Sequence, residues 1–143
     1  MNTYSFQEVD VTLSHPSLGV ITTSGLGIGS VSVNMATDRA TATVAADGAV
    51  VINKIEDRHG NVEIEIQQTS DVHKSLKRWW NYLESADSSE FARIKTVITN
   101  KSTGEQDICT NGAIIKHPDS QYGPEVGNFT WGLLHAKIQK NIA

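Results

Sequence analysis

Residues 60–85 read GNVEIEIQQTSDVHKSLKRWWNYLES, and this stretch decides the fold. Its first part alternates apolar and polar side chains, which predicts a β-strand over residues 61–68 with one packed face and one wet face. The packed face carries Val62, Ile64 and Ile66, and the wet face carries Glu63, Glu65 and Gln67. We therefore expect an acidic sheet face that stays in contact with water.

The second part of the stretch has the periodicity of a helix, predicted over residues 70–85. Its apolar stripe and its outward cations are Val72, Leu76, Trp79, Trp80 and Leu83 on one side and Lys74, Lys77 and Arg78 on the other. This pattern predicts a single helix that caps a β structure. We expect Trp79 rather than Trp80 to be the buried tryptophan, because Val72, Leu76, Trp79 and Leu83 form the tighter stripe.

Composition limits the class of protein. A chain of 143 residues predicts one domain, residues 1–143, with a core that needs no disulfide or metal. The single cysteine, Cys109, excludes an internal disulfide and favours a reducing compartment. The net charge of −4 argues against a nucleic-acid binder. No signal peptide and no membrane anchor are expected, since no long apolar run is present.

The remaining chain is dominated by β signals. Strands are predicted over residues 5–14, 91–101, 106–116 and 128–139, and a loop over residues 117–127. Together with the strand over residues 61–68 and the two strands of a hairpin over residues 30–55, this makes about seven strands and one helix. The expected fold is mainly β, a β-sandwich or barrel with one capping α-helix.

Residues 30–55 predict a long β-hairpin with its tip at Asp47 and Gly48. Beyond Asp38 the first strand loses its large apolar residues and consists mainly of Thr and Ala, so it cannot bury much surface within its own subunit. An open edge of this length favours aggregation unless it is covered. We expect a neighbouring copy to pair with this hairpin; a freely exposed surface hairpin is the alternative.

No catalytic, cofactor-binding or metal site is predicted. The glycine-rich residues 25–29 precede a strand rather than a helix, which favours a loop over a nucleotide site. The five histidines have no metal-ligand spacing, and Cys109 has no nearby partner. Glu63 and Glu65, spaced at roughly 7 Å, lack the apolar surroundings that an acid catalyst in a glycosidase requires.

Several segments of the chain match a known family. They are residues 3–7 (TYSFQ), 11–13 (VTL), 35–39 (MATDR), 46–48 (ADG) and 60–64 (GNVEI), followed by Thr69-Ser70 and the Leu76-bearing helix. Through these segments most of the chain resembles the tail-tube proteins of contractile-tailed, Mu-like bacteriophages, which are related to the tubes of type VI secretion systems and pyocins. The resemblance implies a tail-tube fold whose inner sheets join into one continuous barrel in a hexameric ring.

The same resemblance implies a structural virion protein rather than an enzyme. Its rings would stack into the inner tail tube that conducts phage DNA into the host, in a virion tail assembled in the bacterial cytoplasm. The implied partners are further copies of the chain, the tail sheath protein, and the tape-measure, baseplate hub and tail-terminator proteins. Double-stranded DNA would pass without specific binding, and no cofactor is implied.

The dimensions of such a tube accommodate DNA. If six subunits each contribute four strands, a spacing of about 4.8 Å and a tilt near 40° give a barrel diameter of roughly 48 Å. A duplex about 20 Å wide passes through the resulting bore of about 40 Å. Asp38, Glu63 and Glu65 are the candidate lumen-lining residues, because acidic side chains repel the polyanion.

Two other classes of protein remain open on the sequence. One is a particle component that is not the tube, such as a tail terminator. The other is a ligand-binding β-sandwich, for which Trp80, Tyr82 and Tyr122 are the candidate aromatic platform.

Overall fold

The computed structural model describes residues 9–23, 28–67, 71–119, 123 and 127–142. In chain order the elements are β1 (Val9–His15), β2 (Gly19–Thr23), β3 (Ile28–Met35), β4 (Ala40–Val44), β5 (Val50–Lys54), β6 (Gly60–Gln67), α1 (Asp71–Ser85), α2 (Ser88–Phe91), β7 (Ile94–Asn100), β8 (Glu105–Lys116) and β9 (Asn128–Ile142). The fold is mainly β, as the alternating apolar pattern predicts.

Seven of the strands form one antiparallel sheet in the order β2-β1-β7-β8-β9-β6-β3. The strands β4 and β5 pair only with each other and form a separate hairpin. Strands β2 and β3 are the two edges of the larger sheet. Each edge has one row of backbone amide and carbonyl groups that pairs with no other strand among the described residues.

The two longest strands, β8 and β9, take part in both halves of the sheet. Residues 129, 131, 133 and 135 of β9 are buried, but further along the strand the buried position is Ile138. Opposite this change of face, Asn111 of β8 has a φ of 54°, the left-handed conformation found at β-bulges. The sheet therefore bends here, and strands from both of its ends contribute to one core.

Helix α1 packs on this core. Val72, Leu76, Trp79 and Leu83 are all buried, while Trp80 is half-buried at the edge of the stripe. They join a single apolar cluster with Val62, Ile64 and Ile66 of β6 and with residues of β1, β7, β8 and β9. The two periodicities within residues 60–85 thus meet in space: the packed face of the strand receives the apolar stripe of the helix.

The predicted hairpin over residues 30–55 requires correction. The first strand ends at Met35 and pairs with β6 in the large sheet, and the hairpin itself covers only residues 40–54. Between them, Ala36 and Arg39 each extend a neighbouring ladder by one backbone hydrogen bond, Ala36 N to the His59 carbonyl and Ile55 N to the Arg39 carbonyl, and the chain is not extended between them. Thr37 Oγ1 donates to Asp57 Oδ2 at 3.2 Å, and Arg39 Nη1 donates to the Ile55 carbonyl at 3.1 Å. The polar side chains of this short segment therefore break the strand.

Two further elements differ from the sequence-based expectation. A second, short helix α2 occupies residues 88–91, so the following strand begins at Ile94 rather than at Phe91. Glu90 explains the turn: its carboxylate accepts from Ser17 Oγ at 2.8 Å and from Arg93 Nη1 at 3.1 Å. Strand β2 was not predicted. Residues 5–8 of the first predicted strand, and residues 25–27 of the glycine-rich loop, lie outside the described residues.

Candidate assembly surfaces

The β4–β5 hairpin stands apart from the core, and every residue from 40 to 54 is exposed. Its tip is a well-ordered turn. Ala45 N donates to the Ala49 carbonyl at 2.8 Å, and Gly48 N donates to the Ala45 carbonyl at 2.9 Å. The Asp47 carboxylate accepts from Ala49 N at 3.0 Å. Gly48 has a φ of +88°, which residues with a side chain rarely adopt. The glycine at position 48 and the accepting carboxylate of Asp47 therefore fix the turn at the tip.

The two faces of this hairpin differ in polarity. The strand register places five apolar side chains on one face, with Lys54 at its base: Ala40, Ala42, Val44, Val50 and Ile52. The other face carries Thr41, Thr43, Val51 and Asn53, and Asn53 Nδ2 donates to Thr43 Oγ1 at 2.9 Å. Ile52 is 76% exposed and Val44 is 67% exposed. A contiguous apolar face of this kind marks an interaction surface.

The sequence-based interpretation recognised the hairpin but not its apolar face. It weighed only the shortage of large residues in residues 38–46. The missed signal was in β5, where Val50 and Ile52 alternate with Val51 and Asn53 and so add two large apolar side chains to one face.

Glu63 and Glu65 lie together on the face of β6 that points away from the core. Glu63 is exposed and has no hydrogen-bond or ion-pair partner among the described residues, whereas Glu65 is half-buried. Asn128 Nδ2 donates to Glu65 Oε1 at 2.8 Å, and Ser30 Oγ lies 3.5 Å from Glu65 Oε2. We call this the acidic face: the outward side of strands β3, β6, β9 and the second half of β8.

Asp38 does not belong to the acidic face. It is exposed in the connection between β3 and β4, beyond the end of the large sheet. A cation does lie beside Glu63: Lys116 is paired across the strands with Gly132, which is paired in turn with Glu63. The sequence-based interpretation missed Lys116, because the register that brings it into this row depends on an irregularity in β8 between Ile114 and Lys116.

A cluster of aromatic and histidine rings joins α1 to β9 on the other side of the sheet. The indole Nε1–H of Trp131 donates to His73 Nδ1 at 3.1 Å, and the His73 ring stacks on Phe129 at 4.5 Å. The His117 ring meets Trp131 edge-on at 4.9 Å. Burial, with a smaller contribution from the charges of His117 and Lys77, lowers the pKa of His73. The cluster fixes α1 on the sheet with a neutral buried imidazole.

The other buried reactive groups have structural surroundings. His135 Nε2 is hydrogen-bonded to Thr96 Oγ1 at 3.1 Å, and burial lowers the pKa of His135 to about 4. Burial raises the pKa of the Cys109 thiol to about 11, so the reactive thiolate is not formed at neutral pH. Among the described residues, no group of three or more His, Cys, Asp or Glu side chains is placed to hold a metal ion.

Trp80 and Tyr82, proposed for a ligand-binding platform, do not line a surface groove on the larger sheet. This groove, of about 590 Å³, is bordered by residues of β1, β2, β7 and β8, including Val20, Arg93 and Lys95. Trp80 instead packs against His117 at 6.1 Å between ring centroids. Tyr82 is exposed on α1, and Tyr122 lies outside the described residues. In the part of the chain that the structure describes, no helix is long and apolar enough to cross a membrane.

The fold is shared with proteins of contractile injection systems. The chain superimposes on a protein of an extracellular contractile injection system, the PVC sheath–tube complex in its extended state, with a TM-score of 0.58 at 10% identity over 93% of this chain and 88% of that one. It also superimposes on a protein of the anti-feeding prophage (AFP) baseplate, with a TM-score of 0.64 at 10% identity over 99% and 96% of the two chains. None of the curated protein sequences matches.

Sequence comparison makes the assignment more specific. The profile of the bacteriophage PhiTE tail tube protein family matches residues 1–143, the whole of the chain. The chain therefore belongs to this family of phage tail tube proteins. It is a structural component of the virion tail, and neither a ligand-binding sandwich nor another tail protein is favoured.

Proposed function

We propose that this protein assembles into hexameric rings that stack into the inner tube of a contractile tail and conduct double-stranded DNA into the host cell. The tube would form in the bacterial cytoplasm, inside a sheath and between a baseplate hub and a terminator, around a tape-measure protein. The role is mechanical rather than catalytic.

The observation that carries this proposal is the exposed apolar face of the β4–β5 hairpin. Val44, Val50 and Ile52 are each at least 60% exposed and lie together on one face, whereas most of the large apolar side chains of the larger sheet and α1 are buried in one core. At about 25 cal/mol per Å² of apolar surface, covering this face by a neighbouring copy stabilises association without any other change in the subunit. A hairpin that reaches out of one subunit and packs on the next is therefore the expected link of the assembly.

The edges of the large sheet supply a second means of joining subunits. Strand β3 is an edge of the half that bears the acidic face, and in the part of the chain that the structure describes no strand pairs with its outer side. That half consists of four strands, β3, β6, β9 and β8. Four is also the number of strands per subunit from which the diameter of the expected barrel was calculated. Joining this edge to the next subunit would merge six such sheets into one wall and remove the open edges.

In this arrangement the acidic face would line the bore. The core and α1 lie on the opposite side of β6 from Glu63 and Glu65, so the acidic face is free to point inward. In the cross-strand rows that pass through Glu63 and Glu65, the two carboxylates outnumber the one cation, Lys116, and a negative wall repels phosphate groups instead of binding them. Asp38 is placed at the rim, next to the base of the hairpin.

Electron microscopy of the purified protein tests the assembly directly. We expect rings or tubes with a bore wide enough for a DNA duplex, and sedimentation velocity should show their formation rising with concentration. A protein that remains strictly monomeric at high concentration, with no rings on the grid, would contradict the proposal.

Two neighbouring valines of β5 test the role of the hairpin. Val50→Thr alters the apolar face and Val51→Thr alters the polar face, with the same loss of apolar character at adjacent positions. We expect Val50→Thr to raise the concentration required for assembly at least severalfold, and Val51→Thr to raise it less. Equal effects of the two substitutions would show that the apolar face is not the contact.

A further inference from the structure

A surface groove of about 590 Å³ lies over β1 and β2, at the edge of the large sheet opposite to the edge strand β3. The register of the strands places Val20, Ser14 and Lys95 side by side in one row across this groove. All three point away from the core, because they alternate with buried neighbours such as Leu13 and Ile94. The groove therefore belongs to the outward surface of the sheet.

The groove combines an apolar wall with an uncompensated cation. Val20 is 65% exposed, and Pro16, which also lines the groove, is exposed. Lys95 is exposed and lies within 4 Å of no carboxylate among the described residues, whereas Arg93 of the same groove is paired with Glu90 at 3.1 Å. A partner that fits this groove has an apolar surface and a negative charge.

The β4–β5 hairpin of a second copy has both properties. Its apolar face exposes Val44, Val50 and Ile52, and its tip carries the exposed carboxylate of Asp47. One oxygen of this carboxylate accepts from Ala49 N within the turn, and the other is available for a contact. The tip is also narrow, because the residues around the carboxylate are small: Ala45, Ala46, Gly48 and Ala49.

The hairpin and the groove lie on different parts of the subunit. The hairpin follows β3 and precedes β6 at one edge of the large sheet, and the groove borders β2 at the other edge. Each subunit can therefore give a hairpin to one neighbour and receive a hairpin from another. Contacts of this head-to-tail kind form rings or continue as filaments, as a stacked tube requires.

We propose that this groove receives the β4–β5 hairpin of a neighbouring subunit, with the Asp47 carboxylate beside Lys95 and the apolar face of the hairpin against Val20. The proposal rests on the assembly proposed above and names the surface that the hairpin contacts. Removal of apolar surface from water on both partners supplies the affinity. The charge pair determines the register of the hairpin in the groove.

Chemical cross-linking of assembled tubes tests the contact. The variant Ala46→Cys with Val20→Cys places one thiol at the tip and one in the groove, and it retains both charged side chains of the proposed pair. Cys109 is buried and is therefore shielded from the reagent. A short bis-maleimide should join most of the chains into products longer than the dimer, because each subunit gives one hairpin and receives one.

The control variant is Ala46→Cys with Lys77→Cys, whose second thiol lies at an exposed position on α1. It should give severalfold less cross-linked product. If Val20→Cys prevents assembly, Ser14→Cys in the same row of the groove replaces it and leaves the apolar wall in place.

A cycle of single and double substitutions tests the charge pair. Asp47→Asn removes the charge but keeps an oxygen that can accept from Ala49 N, and Lys95→Gln removes the cation. We expect each to raise the concentration required for tube assembly about twofold to fivefold in low salt. The double variant should raise it no further than either single variant, and Lys77→Gln should leave it unchanged. Additive effects would show that the two groups do not meet and would overturn the pairing.

The outcomes separate this contact from the tube function. Wild-type protein that forms no tubes contradicts the function itself. Tubes in which neither Val20→Cys nor Ser14→Cys is joined to Ala46→Cys overturn the groove as the receiving surface, while the tube stands. Equal cross-linking of the α1 control does the same. Products that stop at the dimer also overturn the proposal, because they indicate a two-fold contact instead of a head-to-tail one.

Discussion

Trp79 and Trp80 are adjacent in α1 but lie in different surroundings. Trp79 is 5% exposed and meets the His15 ring edge-on, whereas Trp80 is half-buried. We predict that Trp79→Ala lowers the free energy of unfolding by about 3–5 kcal/mol, the usual cost of a large cavity. Trp80→Ala should cost clearly less. Urea titrations of the unassembled protein, followed by far-ultraviolet circular dichroism, measure both values, and a larger loss for Trp80→Ala would reverse the assignment.

His135 makes the stability of the subunit depend on pH. Its pKa is lowered from 6.5 to about 4 by burial, so the folded protein binds fewer protons than the unfolded chain between these values. The free energy of unfolding should therefore be undiminished above about pH 6.5 and fall as the pH falls toward 4. The contribution of this residue is about 3 kcal/mol.

Substitution of the histidine separates this contribution from that of His73, whose pKa is also lowered. His135→Gln should flatten the dependence of unfolding free energy on pH between 6.5 and 4, as measured by urea titration at a series of pH values. His59→Gln, at a histidine whose side chain is 42% exposed, serves as the control. A curve for His135→Gln with the full wild-type slope would show that other groups carry the effect.

At the scale of the elements, substitutions in two turns distinguish a role of the β4–β5 hairpin in assembly from a role in folding. One turn joins β4 to β5 and the other joins β7 to β8. Gly48 and Gly104 have φ values of +88° and +78°, and each donates its N–H to a backbone carbonyl of its turn. Proline fixes φ near −65° and has no N–H, so it disrupts both turns. We predict that Gly48→Pro hinders tube assembly more than folding, because β4 and β5 lie outside the core sheet. Gly104→Pro, between β7 and β8, should chiefly destabilise the fold.

Thermal unfolding and electron microscopy of the two variants measure these effects. A Gly48→Pro protein that forms tubes at the wild-type concentration would contradict the prediction. So would a loss of thermal stability as large as that of Gly104→Pro.

The elements that the sequence predicts well are those whose own periodicity is strong. The alternation of residues 61–67 and the stripe of α1 carry enough apolar side chains to define the buried face without knowledge of their partners. The connection at residues 36–39 could not be predicted in this way. Thr and Ala tolerate an extended conformation, and the bonds that end β3 come from Asp57 and Ile55, some 20 residues away. Strand order, the bend at Asn111 and the position of Lys116 likewise depend on tertiary pairing.

The candidate surfaces show the same division. Glu63 and Glu65 share a face because they are two residues apart on one strand, which any β-strand guarantees. Asp38 was joined to them only by extending that strand through residues 36–39, where the chain in fact turns away. The ring cluster around His73 could not be predicted from the sequence, because His73, His117 and Trp131 are far apart in the chain and share no motif.

At the scale of the whole molecule, charge is separated across the subunit. The acidic face and the exposed cations of α1 (Lys74, Lys77 and Arg78) lie on opposite sides of β6, and the core lies between α1 and the sheet. A wall of this kind can repel DNA on one side and attract a protein on the other, even though the subunit as a whole carries a net charge of −4. In the proposed tube, DNA passage should therefore depend on the direction of this separation.

Reversal of the charge on the acidic face tests that dependence. We predict that Glu63→Lys with Glu65→Lys leaves the tube intact, because both side chains lie outside the core, but slows DNA ejection. Each lysine adds phosphate attraction and counterion release, so the delay should be largest at low salt and diminish as salt is raised. Ejection kinetics of particles carrying the variant, followed by a DNA-binding dye, measure the rate. Glu63→Gln with Glu65→Gln should give an intermediate rate, since it removes repulsion without adding attraction.

A variant with the same change in net charge provides the control. Asp87→Lys with Glu105→Lys alters two exposed acidic residues away from the acidic face and should eject DNA at the wild-type rate. The lumen assignment is wrong if particles with lysine at positions 63 and 65 eject normally in low salt. It is equally wrong if an assembled structure places both carboxylates on the outside, or pairs them with Lys or Arg of a neighbouring subunit. Normal ejection, or pairing of the carboxylates, would mean that any repulsion comes from other residues, whereas carboxylates on the outside would reverse the expected polarity of the wall, including the outward position of α1.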